Sequence, residues 1–317
     1  MSSTTLSSSS LGILAGLATA LLWTGTAVCF EVASKRLGSL AVNILRLALA
    51  LILFAALSLV RFHRLWPSGL TAEAWSYLGL SGLIGFVVGD VMLFRAFVLI
   101  GARLSMLIYA SVPFMTAIAG FAFLGERMSG RSVAGMAVTV AGIALAVAGK
   151  PSTTKDAVAG RATGILMAFG GSAGQAAGLL LGKYGAHDLD CFSATQIRVC
   201  FGLAGFVLLA LVLGQTRTIL GVVGQAAVSG KGHAPRARLL RRALVVMAVG
   251  ALLGPFLGVS LGLLSAQLLP TGTASTLMST VPVLLIPVSV LLLGESVSLR
   301  EIVGALVAVS GVAVLAW

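Results

Sequence analysis

Two stretches of this chain are copies of each other, and that duplication limits what the chain can become. Gly101 to Ala146 and Pro270 to Leu315 align at a shift of 169 positions. The shift lays Val112-Pro113 on Val281-Pro282 and Leu124-Gly125-Glu126 on Leu293-Gly294-Glu295. It also lays Arg131 on Arg300, Gly135 on Gly304 and Gly142 on Gly311. An apolar run, a Leu-Gly-Glu corner and a second apolar run therefore occur twice. The echo continues upstream, with Gly85 on Gly254 and Gly89 on Gly258. Nearer the start of each copy the shift is 152, laying Gly12-Ile13-Leu14 on Gly164-Ile165-Leu166 and Arg46 on Arg198. The difference is an insertion of 17 residues between Arg198 and Gly254, for which the polar stretch Gln215 to Arg242 is the natural place. A repeat that covers nearly the whole chain must be recognised before any element is assigned.

The copies are too apolar for a water-soluble core. Residues of the AVILMFWYC set make up 58% of the 317, charged residues 9%, and the mean hydropathy is +1.08, against about 25% charged in ordinary soluble domains. A spanning helix needs about 20 mainly apolar residues. Ten runs qualify, near 11–30, 39–60, 75–97, 103–123, 130–149, 162–182, 192–213, 243–265, 272–292 and 299–317. They are too long for barrel strands and lack strict alternation, and backbone groups in lipid must be paired within the segment. The expectation is an all-α polytopic membrane protein, its ten transmembrane helices forming two inverted five-helix repeats, because an odd number of spans turns the second copy over. The expected organisation is a polar tail 1–10, a first repeat 11–149, a linker 150–161 and a second repeat 162–317 with a basic insertion at 215–242. Met1 to Ser10 carries no basic residue, so no cleavable signal peptide is expected.

The formal charge of +12 resides mostly in connections between spans, where it meets lipid headgroups and orients the chain; it does not call for a nucleic acid partner. With the N-terminus in the cytoplasm, five Lys/Arg would face inward and fourteen outward, Arg46 and Arg198 lying within spans. The count favours both termini outside, and the bias comes from the second half; the first is balanced, four against four.

Ionisable residues within spans are functional candidates. Arg46 and Arg198 occupy equivalent positions and offer planar donor forks for an anionic group near the axis relating the copies; the alternative is that each snorkels to the surface. Asp90 has Val259 as its counterpart, which marks it for a one-sided role in proton or ion coupling, or as an ion-pair partner of Arg46 or Arg95. Glu31 is expected at the membrane edge. Glu126 and Glu295 suit helix N-terminal caps. Trp23, Asn43, Tyr109, Gln175, Ser275, Met278 and Ser279 suit the wall of a midplane pocket, where aromatic and thioether groups supply apolar area and amides and hydroxyls fix orientation. Pro113 and Pro282, at matching positions, would kink a matched pair of helices, and such pairs point to a transport site. Cys29, Cys191 and Cys200 read as small packing residues, and His63, His187 and His233 have no metal-ligand spacing. No metal, cofactor or catalytic set is expected, and no GxxxxGK followed by Ser or Thr is present to bind ATP.

The duplicated corners LGERMSGRSVAGMAVTVAGIAL and LGESVSLREIVGALVAVSGVAVL, with Gly89-Asp90-Val91-Met92-Leu93-Phe94-Arg95-Ala96 in span three, resemble the EamA-type branch of the drug/metabolite transporter superfamily. The resemblance covers about Leu11 to Trp317. It implies a non-enzymatic secondary transporter of the bacterial inner membrane, working by alternating access around a central cavity. It also implies a small-molecule solute, amino acid efflux foremost, and both termini in the cytoplasm, opposite to the charge count. A drug or nucleotide-sugar carrier and a non-transporting scaffold are the competing readings. The chain is expected to act as a monomer or homodimer in the bilayer.

Overall fold

The computed structural model describes residues 7–124, 129–147, 155–187, 189–217, 219–221, 224, 235–269, 271–294 and 296–316. These residues are helices joined by short connections, with no strand among them, and seven of the helices are long and apolar enough to cross a membrane. Helix α1 (Ser8–Leu37) starts where the Ser7 side chain accepts the Ser10 amide and stops at Gly38, whose φ of 86° only glycine adopts freely. Helix α2 spans Ser39–Phe62. Helix α3 (Ala72–Gly82) is capped by Thr71 and runs through a π-helical segment, Leu83–Gly89, into α4 (Asp90–Tyr109). Helices α5 (Val112–Leu124) and α6 (Gly130–Val147) complete the first copy.

The second copy has α7 (Lys155–Gly185), which begins inside the stretch read as a linker, and α8 (Cys191–Val212), capped by the Asp190 carboxylate. Helix α9 (Pro235–Ala251) starts within the basic insertion. It passes through a second π-helical segment, Leu252–Gly258, into α10 (Val259–Leu268). Then follow α11 (Thr271–Met278), α12 (Val281–Leu293) and α13 (Leu299–Ala316). The two π segments stand 169 positions apart, so a rare local distortion has been kept in both copies. Such bulges are frequent at functional sites.

The packing carries the repeat. Helix α1 lies on α9 and α10, as its counterpart α7 lies on α3 and α4; α2 lies on its counterpart α8, and α6 on its counterpart α13. Exchanging the copies therefore leaves the contact pattern in place. The α6–α13 seam is glycine-tight. A Cβ at Gly142 would stand 2.3 Å from the Ala308 amide nitrogen, and one at Gly311 would stand 2.4 Å from that of Thr139. Positions 139 and 308 are themselves counterparts, so each contact is the image of the other.

Three local features bear on the expectations. Glu31, expected at the membrane edge, is 2% exposed within the bundle, with Lys35 Nζ 2.5 Å from one carboxylate oxygen. Its other oxygen accepts the Ala102 amide at 2.9 Å, just after α4 breaks at Gly101 (φ 79°). A carboxylate at the start of a new helical segment satisfies an orphan donor and the positive end of its dipole. Its counterpart Lys183 donates to the carbonyl of Leu269 at 3.5 Å, where α10 ends. The two copies thus treat the same corner with opposite charges, each suited to the helix end it meets. Second, Pro113 and Pro282 do not kink continuous helices. The breaks precede them, at Ala110–Ser111 and Ser279–Thr280, and both prolines sit in the first turn of α5 and α12. There a missing amide costs nothing, because the first-turn amides have no partner within the helix. Third, the cap of α13 is a reciprocal pair. The Glu301 amide donates to Ser298 Oγ at 3.3 Å, and the Ser298 amide donates to Glu301 Oε2 at 2.8 Å. Glu126 and Glu295, to which capping was assigned, lie outside the described residues, as do Lys150, Lys231 and His233.

Candidate functional site

Two adjoining cavities open where the π segments and helix breaks meet. The first is walled by Trp23, Met106, Tyr109, Ala110, Val112 and Leu179, and by Gln175, Ser275, Met278, Ser279, Val281 and Pro282. Most of these residues come in counterpart pairs. The 152 shift lays Trp23 on Gln175; the 169 shift lays Met106 on Ser275, Tyr109 on Met278, Ala110 on Ser279 and Val112 on Val281. A wall that maps largely onto itself under exchange of the copies straddles the axis relating them, and this cavity is called axial here. The broken ends of α4 and α11 and the first turns of α5 and α12 all contribute to it.

The second cavity is lined mostly by residues of the first copy. Its chemistry is one-sided. Phe30, Arg46, Phe86, Asp90 and Phe94 line it, whereas their counterparts are Gly182, Arg198, Pro255, Val259 and Leu263. At its centre is a buried ion pair: Arg46 Nη2 donates to Asp90 Oδ2, the residues being 4% and 8% exposed. Asn43 does not line the cavity; it orients the arginine, accepting from Arg46 Nε at 2.9 Å and donating to the Ser39 carbonyl at 3.0 Å. The guanidinium carbon lies 4.6 Å from the Phe94 ring centroid and 5.3 Å from that of Phe30, both within range of cation–π attraction. Among the described residues, Arg46 Nη1 and Asp90 Oδ1 have no hydrogen-bond partner. Most of the bonding capacity of this pair, which lines the cavity, is therefore unused.

Of the other residues singled out from sequence, Arg198 neither reaches the surface nor lines either of these two cavities. It is 2% exposed, its Nε is unpartnered, and its guanidinium lies over the Phe86 ring at 5.5 Å from the centroid. Arg46 stands over the same ring at 5.9 Å. The two arginines thus share an aromatic ring, and only Arg46 bonds the Asp90 carboxylate, Arg198 feeling its charge from farther off. The tight packing of span six makes room for Arg198: a Cβ at Gly182 would stand 3.2 Å from its Cζ. Arg95 is exposed and takes no part in the Asp90 pair. Pro113 is buried behind the axial wall, while Pro282 lines it.

Sequence reasoning missed the aromatic surround of Arg46 (Phe30, Phe86 and Phe94) and Met106 of the axial wall. Applying the 169 shift to Met278 and Ser275 would have pointed to Tyr109 and Met106 together. The phenylalanines carry no such signal, since phenylalanine in an apolar span is ordinary.

The EamA-like transporter family model matches residues 10–148 and again residues 162–317. No functionally curated protein matches the chain in sequence. Among 28 solved chains that match is a crystal structure superposing on 96% of this chain and 94% of its own, with TM-score 0.61 and 19% identity; at that identity it speaks for the fold alone. With both copies matched over most of their length, the chain belongs to the EamA-like transporter family, whose members are membrane transporters of small solutes.

Proposed function

We propose that this protein is a secondary carrier that exports small zwitterionic metabolites, amino acids foremost, across a bacterial inner membrane. In this reading its helices form ten spans in two inverted five-span repeats, 11–149 and 162–317, which rock about the axial cavity to expose it to each side in turn. The observation that carries the solute class is the partly satisfied ion pair. Arg46 Nη1 offers a donor and Asp90 Oδ1 an acceptor on one cavity wall. A solute carboxylate and ammonium fit that pair without bringing net charge into the membrane, and charged groups leave water only where they are paired. Phe30, Phe94, Trp23 and Tyr109 cover the apolar part of the solute. A nucleotide sugar fits less well: its phosphates need cations to spare, and the one cation on this wall already holds a carboxylate.

Counterflow in proteoliposomes preloaded with a mixed amino acid pool tests the reading. Saturable uptake of labelled amino acids, abolished in Arg46→Gln and Asp90→Asn, is the expected result. Absence of uptake for every amino acid by well-folded protein overturns it. Counterflow retained in Asp90→Asn, with loss of accumulation driven by a pH gradient, would make Asp90 a coupling group and take it out of the binding site.

A further inference from the structure

The axial cavity differs from the second one in its chemistry. No Asp, Glu, Lys or Arg lines it. It also holds a hydroxyl with nothing to bond to. Ser275 is 2% exposed and its Oγ has no hydrogen-bond partner, although neighbouring hydroxyls on the same helical run are satisfied. Ser279 Oγ donates to the Ser275 carbonyl at 2.8 Å, and Thr276 Oγ1 donates to the Val312 carbonyl at 3.3 Å. Buried polar groups are nearly always paired, so an orphan on a cavity wall marks where a polar group of a guest belongs. Gln175, on the same wall, makes no side-chain hydrogen bond among the described residues.

Four residues, Trp23, Met106, Tyr109 and Gln175, belong to both cavities and form the neck between them. Trp23 meets Tyr109 edge to face, with centroids 6.2 Å apart and planes at 73°. Its indole is seated where Gly258 leaves room, since a Cβ there would stand 2.8 Å from the ring.

We propose that the axial cavity is a side-chain subsite that selects solutes bearing an uncharged hydrogen-bonding side chain, a hydroxyl or carboxamide. The proposal rests on the zwitterion reading above: with the solute's head on Arg46 and Asp90, its side chain passes the Trp23–Tyr109 neck and meets Ser275 and Gln175. A charged side chain would lose its water without gaining a counter-charge. An apolar isostere would leave the Ser275 hydroxyl unpaired, and sites built to bond a polar group discriminate against analogues that lack it.

Threonine and valine are nearly the same shape and differ by a hydroxyl for a methyl, so their uptake ratio isolates the bond. In counterflow with the full-length protein, threonine is expected to exceed valine in Vmax/KM by about ten-fold, with lysine and aspartate at background. Ser275→Ala should bring the ratio close to one, and Ser275→Thr, which restores a hydroxyl, should recover part of it. Equal uptake of threonine and valine by the unmodified protein, or an equal loss of both in Ser275→Ala, overturns the subsite and leaves the zwitterion reading standing. Absence of uptake for all amino acids overturns both.

Discussion

Replacing Asp90 with asparagine keeps the size of the side chain and removes its charge, leaving Arg46 buried without its counter-ion. Breaking a buried pair from one side costs about 3–5 kcal/mol, because the remaining charge stays desolvated. Here the remaining charge keeps some support: the Nε bond to Asn43 at 2.9 Å and the Phe94 ring 4.6 Å from the guanidinium carbon. The expected cost is therefore at the lower end, about 3 kcal/mol. Replacing both partners with leucine removes the charge together with the need to neutralise it, so Arg46→Leu/Asp90→Leu should be more stable than either single leucine variant. Reversible unfolding in mixed SDS micelles, run as a double-mutant cycle, measures both quantities. A cost below about 0.5 kcal/mol for Asp90→Asn, within the range of changes that touch nothing, would refute the burial argument. So would a double variant that loses the sum of the two single losses. Neither leucine variant should transport, so the stability and activity of the double variant should part company.

Two further outcomes follow from the packing. Gly142→Ala places a Cβ 2.3 Å from a backbone nitrogen, which cannot swing aside as a side chain would; it should cost at least about 1–3 kcal/mol in the same unfolding assay, whereas Gly130→Ala, with nothing within 4 Å, should be neutral. Ser298→Ala breaks the reciprocal cap of α13 and should lower stability by about 1 kcal/mol, with counterflow unchanged.

The helices and their pairing were legible because the chain states them twice. Once Gly85/Gly254 and Gly142/Gly311 are aligned, each half acts as a check on the other's spans. The axial wall was legible in part, since Trp23, Tyr109, Gln175, Ser275, Met278 and Ser279 are conspicuous polar or aromatic residues in apolar runs. What stayed hidden depends on distances across the fold. That Glu31 caps Ala102, 71 positions away, cannot be read from a glutamate near the end of an apolar run. That Arg46 bonds Asp90 while Arg198 has no carboxylate of its own follows from Val259 standing where a second aspartate would be. The prolines misled because the rule for a proline inside a helix was applied where the helix had already ended.

The seam between α6 and α13 bears on where such a chain comes from. Gly142 on Ala308 and Gly311 on Thr139 make a self-complementary surface, in which each copy presents the patch it receives, the signature of an isologous dimer contact. The first copy also carries no Lys/Arg imbalance to favour one insertion direction. On the inverted-repeat reading, a gene encoding the first half alone would make subunits that enter the bilayer both ways up, and an upright and an upside-down subunit could close the same seam. Fusion would then have joined two halves that already recognised each other. A fused chain can hold a carboxylate at position 90 and a valine at its counterpart 259, a difference that two copies of one half could not have.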